Sequence, residues 1–103
     1  AGKTRVVIAM LADKPVEEVI SLLLPVTDAW YCAGLETEAR GLSRQVIADK
    51  ISRLAQLSTD VKLCAESTVK VAIEAAMRDA DPEDRIVILG SFYTVAAATH
   101  YFS

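Results

Sequence analysis

Apolar residues along this chain fall into two alternating patterns, and each pattern predicts a kind of element. Val6-Val7-Ile8-Ala9-Met10 is a continuous apolar run after Arg5, as expected for a parallel strand covered on both faces. Val16, Val19, Ile20, Leu23 and Leu24 then recur at helical spacing on one face. Pro15 suits the first turn of that helix, Glu17 and Glu18 favour its positive end, and Pro25 stops it. A second strand follows at Ala29-Trp30-Tyr31-Cys32-Ala33, and a polar loop runs from Gly34 to Leu42. Ser43 reads as the N-cap of a helix burying Val46, Ile47, Ile51 and Leu54.

The second half of the chain repeats this alternation. Val61-Lys62-Leu63-Cys64 mixes polar with apolar positions, which places its strand nearer a sheet edge. Ser67 is the expected cap of the next helix, with Val69, Ala72, Ile73, Ala76, Met77 and Ala80 as its buried stripe. Asp81-Pro82-Glu83-Asp84 makes a turn, Ile86-Val87-Ile88-Leu89 a last strand, and Gly90-Ser91 opens a final helix. The expectation is an α/β fold: strands near residues 5–10, 29–33, 61–65 and 85–89 in a Rossmann-like, mainly parallel sheet, with helices on both faces.

Composition narrows the possibilities. The 103 residues are 52% hydrophobic and 24% charged, with four glycines and three prolines, the profile of one compact domain over residues 1–103. A chain of this length can bury roughly 65% of its unfolded surface. The net charge of -3, with lysines and arginines scattered, argues against a nucleic-acid partner. No apolar stretch has the length of a membrane span, and the amino terminus lacks signal-peptide architecture. Cys32 and Cys64 each sit in apolar runs and read as small core residues, with the cytoplasm as the expected compartment.

Ligands in open parallel sheets bind beyond the carboxyl ends of the strands, so chemistry is sought in the strand-to-helix loops. Gly90-Ser91 permits close backbone approach at a helix start, where N–H groups attract anions; the plainer reading, which the pattern favours, makes Ser91 only a cap. Asp13-Lys14 occupies the matching place after the first strand, as an anion anchor or a solvated loop. His100 has no evident catalytic partner, Trp30 and Tyr31 read as core, and Glu36 and Glu38 as solvated charge. Neither a GxxxxGK[ST] P-loop, nor a GxGxxG fingerprint, nor metal-ligand spacing is present, so no catalytic or metal residue is assigned.

Three segments carry a resemblance: Val7-Ile8-Ala9-Met10-Leu11-Ala12-Asp13-Lys14, Asp28-Ala29-Trp30-Tyr31-Cys32-Ala33, and Gly90-Ser91-Phe92-Tyr93-Thr94-Val95-Ala96. Together they resemble the C-terminal domain of the folylpolyglutamate synthase/dihydrofolate synthase family of the Mur ligase superfamily. The resemblance implies an ATP-dependent amide ligase that joins glutamate to a folate or to dihydropteroate through an acyl phosphate. ATP and Mg2+ would be bound mainly by a preceding P-loop domain of the same protein, without which this chain would be inactive. Lys14 and Ser91 would meet glutamate carboxylates, with Asp13 and Tyr93 as supporting neighbours. Relatives begin this domain with a strand and helix carrying an Asp-x-Ala-His-Asn-Pro motif. The chain starts at the following strand, so the fold is expected to lack that first unit and leave an exposed apolar edge. The alternative is a stand-alone α/β module that binds a small anion or a protein partner without catalysis.

Overall fold

A computed structural model describes residues 2–35, 41–55, 62–90 and 92–103, with the side chains of residues 92 and 93 excepted. Four strands, β1 (Thr4–Ala9), β2 (Ala29–Ala33), β3 (Lys62–Glu66) and β4 (Arg85–Gly90), form one parallel sheet in the order β3-β2-β1-β4. Four helices alternate with them: α1 (Val16–Leu23), α2 (Arg44–Leu54), α3 (Val69–Asp79) and α4 (Phe92–Phe102). The expected βα alternation and parallel pairing are thus present. A short 3-10 turn (Leu24–Val26) carries Pro25 beyond the end of α1.

The two-residue period of the strands divides the core. Val6, Ile8, Trp30 and Cys32 face α1 and α2, packing with Val16, Ile20, Ile47 and Ile51. Val7, Ala9, Tyr31 and Ala33 face the other way and meet α3 and Ala98 of α4. β1 and β2 lie in the sheet interior and are buried throughout. β3 is an edge, as its mixed pattern predicts, and β4 is the other. The apolar run of β4 is only half-buried from Ile86 to Leu89, because no strand among the described residues covers its outer side. α4 carries no Asp, Glu, Lys or Arg, yet Val95 and Phe102 are exposed on it.

Several helix details differ from expectation. Thr68, not Ser67, caps α3: its hydroxyl accepts the Val71 N–H at 3.2 Å. Val46, Leu54 and Met77 are exposed and Ala80 is half-buried, whereas Ala48 and Ala75 are buried. Helices lying on a twisted sheet bury a narrower stripe than the full apolar arc, so residues on its shoulders remain in water. Ser43 caps α2 as expected, accepting the Val46 N–H at 3.1 Å.

At the amino end of the sheet, polar groups lock the layers together. Arg5 Nε donates to Asp84 at 2.9 Å and its Nη1 to the Tyr31 hydroxyl at 3.0 Å. Tyr31 donates to Asp79 at 2.9 Å, and Lys62 reaches the same carboxylate at 2.7 Å. This network satisfies a buried arginine and tyrosine that would otherwise carry a large desolvation penalty.

Candidate functional site at the β1–β4 switch point

The chain moves from β1 through β2 to β3 in one direction across the sheet, then places β4 on the opposite side of β1. The loops leaving the carboxyl ends of β1 and β4 therefore diverge, one toward α1 and the other toward α4. Such a switch point opens a crevice, the usual ligand position in an open α/β sheet. The ladder runs to its end here, with Ile8 opposite Leu89 and Ala9 opposite Gly90.

The lip contributed by β1 is tightly wound. Lys14 N–H donates to the Leu11 carbonyl at 3.3 Å, and Val16 N–H to the Lys14 carbonyl at 2.8 Å. Leu11 bridges to Gly41, while Leu42 N–H donates to Met10 O and Leu35 N–H to Leu42 O, each at 3.0 Å. The ends of the β2–α2 connection therefore brace the β1 loop from the other side. Asp13 and Lys14 are exposed on this brace, and the Lys14 ammonium makes no ion pair among the described residues. A primary ammonium presented this way is a mobile point charge suited to a carboxylate or phosphate.

The second lip is the β4–α4 junction. Gly90 has φ +142°, a conformation that L side chains rarely adopt, and an added Cβ would lie 1.9 Å from the Ala9 carbonyl oxygen. Glycine is required there for the two strand ends to touch. α4 begins at Phe92, so its amino terminus opens beside the β1 loop. Ser91 lies outside the described residues, as do Glu36 and Glu38, and so does the side chain of Tyr93, whose backbone is in the first turn of α4. The ladder thus ends with Ala9, at the root of the Lys14 loop, beside Gly90, just ahead of α4.

Thr94, passed over in the sequence, is fully buried at this junction. Its hydroxyl donates to the Ala9 carbonyl at 2.6 Å and links α4 to the end of β1. The available signal is a threonine in the first turn of a helix without Asp, Glu, Lys or Arg.

Other reactive groups lie elsewhere. Burial, and secondarily Cys64, pushes the Cys32 thiol up to about 12, so it holds its proton at neutral pH; both cysteines are free. His100 is exposed far along α4. Among the described residues no group of three or more His, Cys, Asp or Glu side chains is placed to hold a metal ion, and no helix is long and apolar enough to cross a membrane.

Residues 1–92 match a family model described as "Mur ligase, glutamate ligase domain". The chain is 35% identical over 92% of its length to the dihydrofolate synthase/folylpolyglutamate synthase of Escherichia coli (strain K12), covering 20% of that protein. Escherichia coli FolC in complex with DHPP and ADP superposes with a TM-score of 0.83 at 33% identity, over 99% of this chain and 22% of that one. A bifunctional folylpolyglutamate synthase/dihydrofolate synthase with Mn, AMPPNP and L-glutamate bound gives a TM-score of 0.67 at 38% identity, over 96% of this chain and 23% of that one. The chain therefore spans about a fifth of the length of the relatives it matches.

Proposed function

Because the chain belongs to the glutamate ligase domain family of the Mur ligases, we propose that it works as the C-terminal domain of an ATP-dependent ligase that adds glutamate to folates or dihydropteroate. Its relatives are named for that activity, and one similar structure holds L-glutamate beside Mn and AMPPNP. Residues 1–103 act as one domain, in the cytoplasm, whose partner is a P-loop domain of the same protein. The half-exposed apolar edge of β4 supports this, since it accommodates a further strand and helix from a longer chain.

The observation that carries the reading is the end of the β1–β4 ladder, where Ala9, at the root of the Lys14 loop, lies opposite Gly90, just ahead of α4; the reading sets the two loops on either side of a switch-point crevice. Glutamate presents two carboxylates. Lys14 would hold one through charge, and Ser91 with the N–H groups of the α4 start would hold the other. Asp13 and Tyr93 would support them. So held, the amino group is free to attack an activated carboxyl. ATP bound by the rest of the enzyme would supply that activation as an acyl phosphate, whose phosphate leaves as the amide bond forms. Nucleotide and Mg2+ are assigned mainly to the P-loop domain of the full-length enzyme, as the family resemblance implies; the sequence given has no P-loop.

The test is kinetic. In the full-length ligase, Lys14→Ala and Ser91→Ala should raise KM for glutamate by roughly ten- to a hundredfold, the loss expected for a charge-assisted hydrogen bond, with KM for ATP little changed. Unchanged glutamate kinetics in both stably folded variants would overturn the assignment. The 103-residue chain alone should release no ADP in response to glutamate.

A further inference from the structure

We infer that Thr94 is a positioning residue for the amino-acid site, its hydroxyl fixing the separation of the two lips of the crevice. The inference rests on the glutamate reading above and extends it to a residue that would not touch substrate. Three observations carry it. Thr94 is fully buried, so its hydroxyl must find a protein partner. That partner is the Ala9 carbonyl, at 2.6 Å, a short O–H···O bond. Ala9 is the last residue of β1, paired with Gly90, so the bond is made where the ladder ends and the loops begin to diverge. Lys14 lies five positions beyond Ala9 and Thr94 stands in the first turn of α4, so one hydrogen bond ties the root of the Lys14 loop to the start of that helix.

The close approach at Gly90 shows that the junction is built for short range. The Cβ position of Gly90 lies 2.9 Å from Thr94 Oγ1 and 1.9 Å from the Ala9 oxygen, so glycine makes room for the hydroxyl bridge. Valine has the shape of threonine without the donor. Thr94→Val therefore removes the link while filling the same space, leaving the lips free to shift relative to each other. Ligands held from two sides are sensitive to such shifts.

In the full-length ligase, Thr94→Val should raise KM for glutamate roughly three- to tenfold while KM for ATP stays within about twofold. Thr94→Ser, which restores the hydroxyl, should return it close to the original value. Thr94→Ala removes the hydroxyl without adding a second methyl and gives the same readout if the valine variant does not fold. In the Lys14→Ala background, Thr94→Val should cost less than it does alone, because part of what Thr94 does is to place the Lys14 lip. A lower melting temperature with unchanged glutamate KM, or equal rises in both KM values, would assign Thr94 a purely structural role. Were Lys14→Ala and Ser91→Ala themselves without effect, the site reading would fail. Were they effective and Thr94→Val not, only the present inference would.

Discussion

At Gly90 the demand on a single residue is twofold: φ is +142°, and the Cβ position lies 1.9 Å from a backbone oxygen. Backbone cannot yield as a flexible side chain can, so Gly90→Ala should destabilise the domain by at least about 1–3 kcal/mol. For a chain of this size each kcal/mol lowers the thermal midpoint by roughly 4–8 °C, and a melt followed by circular dichroism measures it. A midpoint within a degree or so of the parent would mean that the junction relaxes. Gly90 and Lys14 were both legible in the sequence, one as a glycine closing an apolar strand, the other as a charge just past a strand end. Thr94 was not, because its meaning depends on a partner 85 positions away. Tyr31 is similar: its ring reads correctly as core, but nothing local announces that its hydroxyl joins Arg5 to Asp79.

Helix termini and stripes show what local patterns can resolve at the scale of an element. The four strands and the first three helices lie close to where alternating apolar periods put them, since period and burial are tied by geometry, and the last helix follows the Gly90-Ser91 opening. The cap of α3 is harder, because Ser67 and Thr68 are chemically equivalent candidates one residue apart. The structure selects Thr68, whose hydroxyl accepts the Val71 N–H. Thr68→Ala should therefore cost about 1 kcal/mol and Ser67→Ala almost nothing. Urea unfolding of the two variants separates them, and a reversed order would return the cap to Ser67. The stripes mislead in a related way. Val46, Leu54 and Met77 share the helical period of the core but sit on its shoulders, and only tertiary placement decides which shoulder is covered. β4 carries the continuous apolar run Ile86-Val87-Ile88-Leu89, yet it is an edge of this sheet and stays half-exposed.

Across the whole molecule, ionisable groups at the amino end of the sheet set how stability responds to pH. The Lys62 ammonium, then the Tyr31 hydroxyl, hold the Asp79 carboxyl at about 2. Backbone N–H groups of Lys3 and Asp81, with Arg5, hold Asp84 at about 2. Both lie below the value of roughly 3.9 expected for an unfolded chain. A depressed carboxyl binds fewer protons folded than unfolded. Its contribution is therefore complete above about pH 4 and is lost as pH falls through the folded value near 2. Tyr31, raised by burial and then by Asp79, and Lys62, raised by its bond to Asp79, act in the opposite sense. Their stabilisation is full below the unfolded values near 10 and is lost as pH rises through the higher folded ones. Cys32, pushed up to about 12 by burial, acts in the same sense from its unfolded value of about 8.5, so the expected profile is a plateau from about pH 4 to about pH 8.5 that falls at both ends. Asp79→Asn should lower the plateau, reduce the slope between about pH 4 and pH 2 without abolishing it, since Asp84 still titrates, and converge on the parent near pH 2. Salt should separate the two carboxylates. The Arg5–Asp84 pair is only 9% and 4% exposed and should be nearly insensitive, whereas Lys62 is 49% exposed and its pairing with Asp79 should weaken. Chemical unfolding across this pH range, at low and at roughly 1 M salt, measures both effects. An Asp79→Asn curve parallel to the parent throughout would show that its carboxylate titrates alike in the folded and unfolded states.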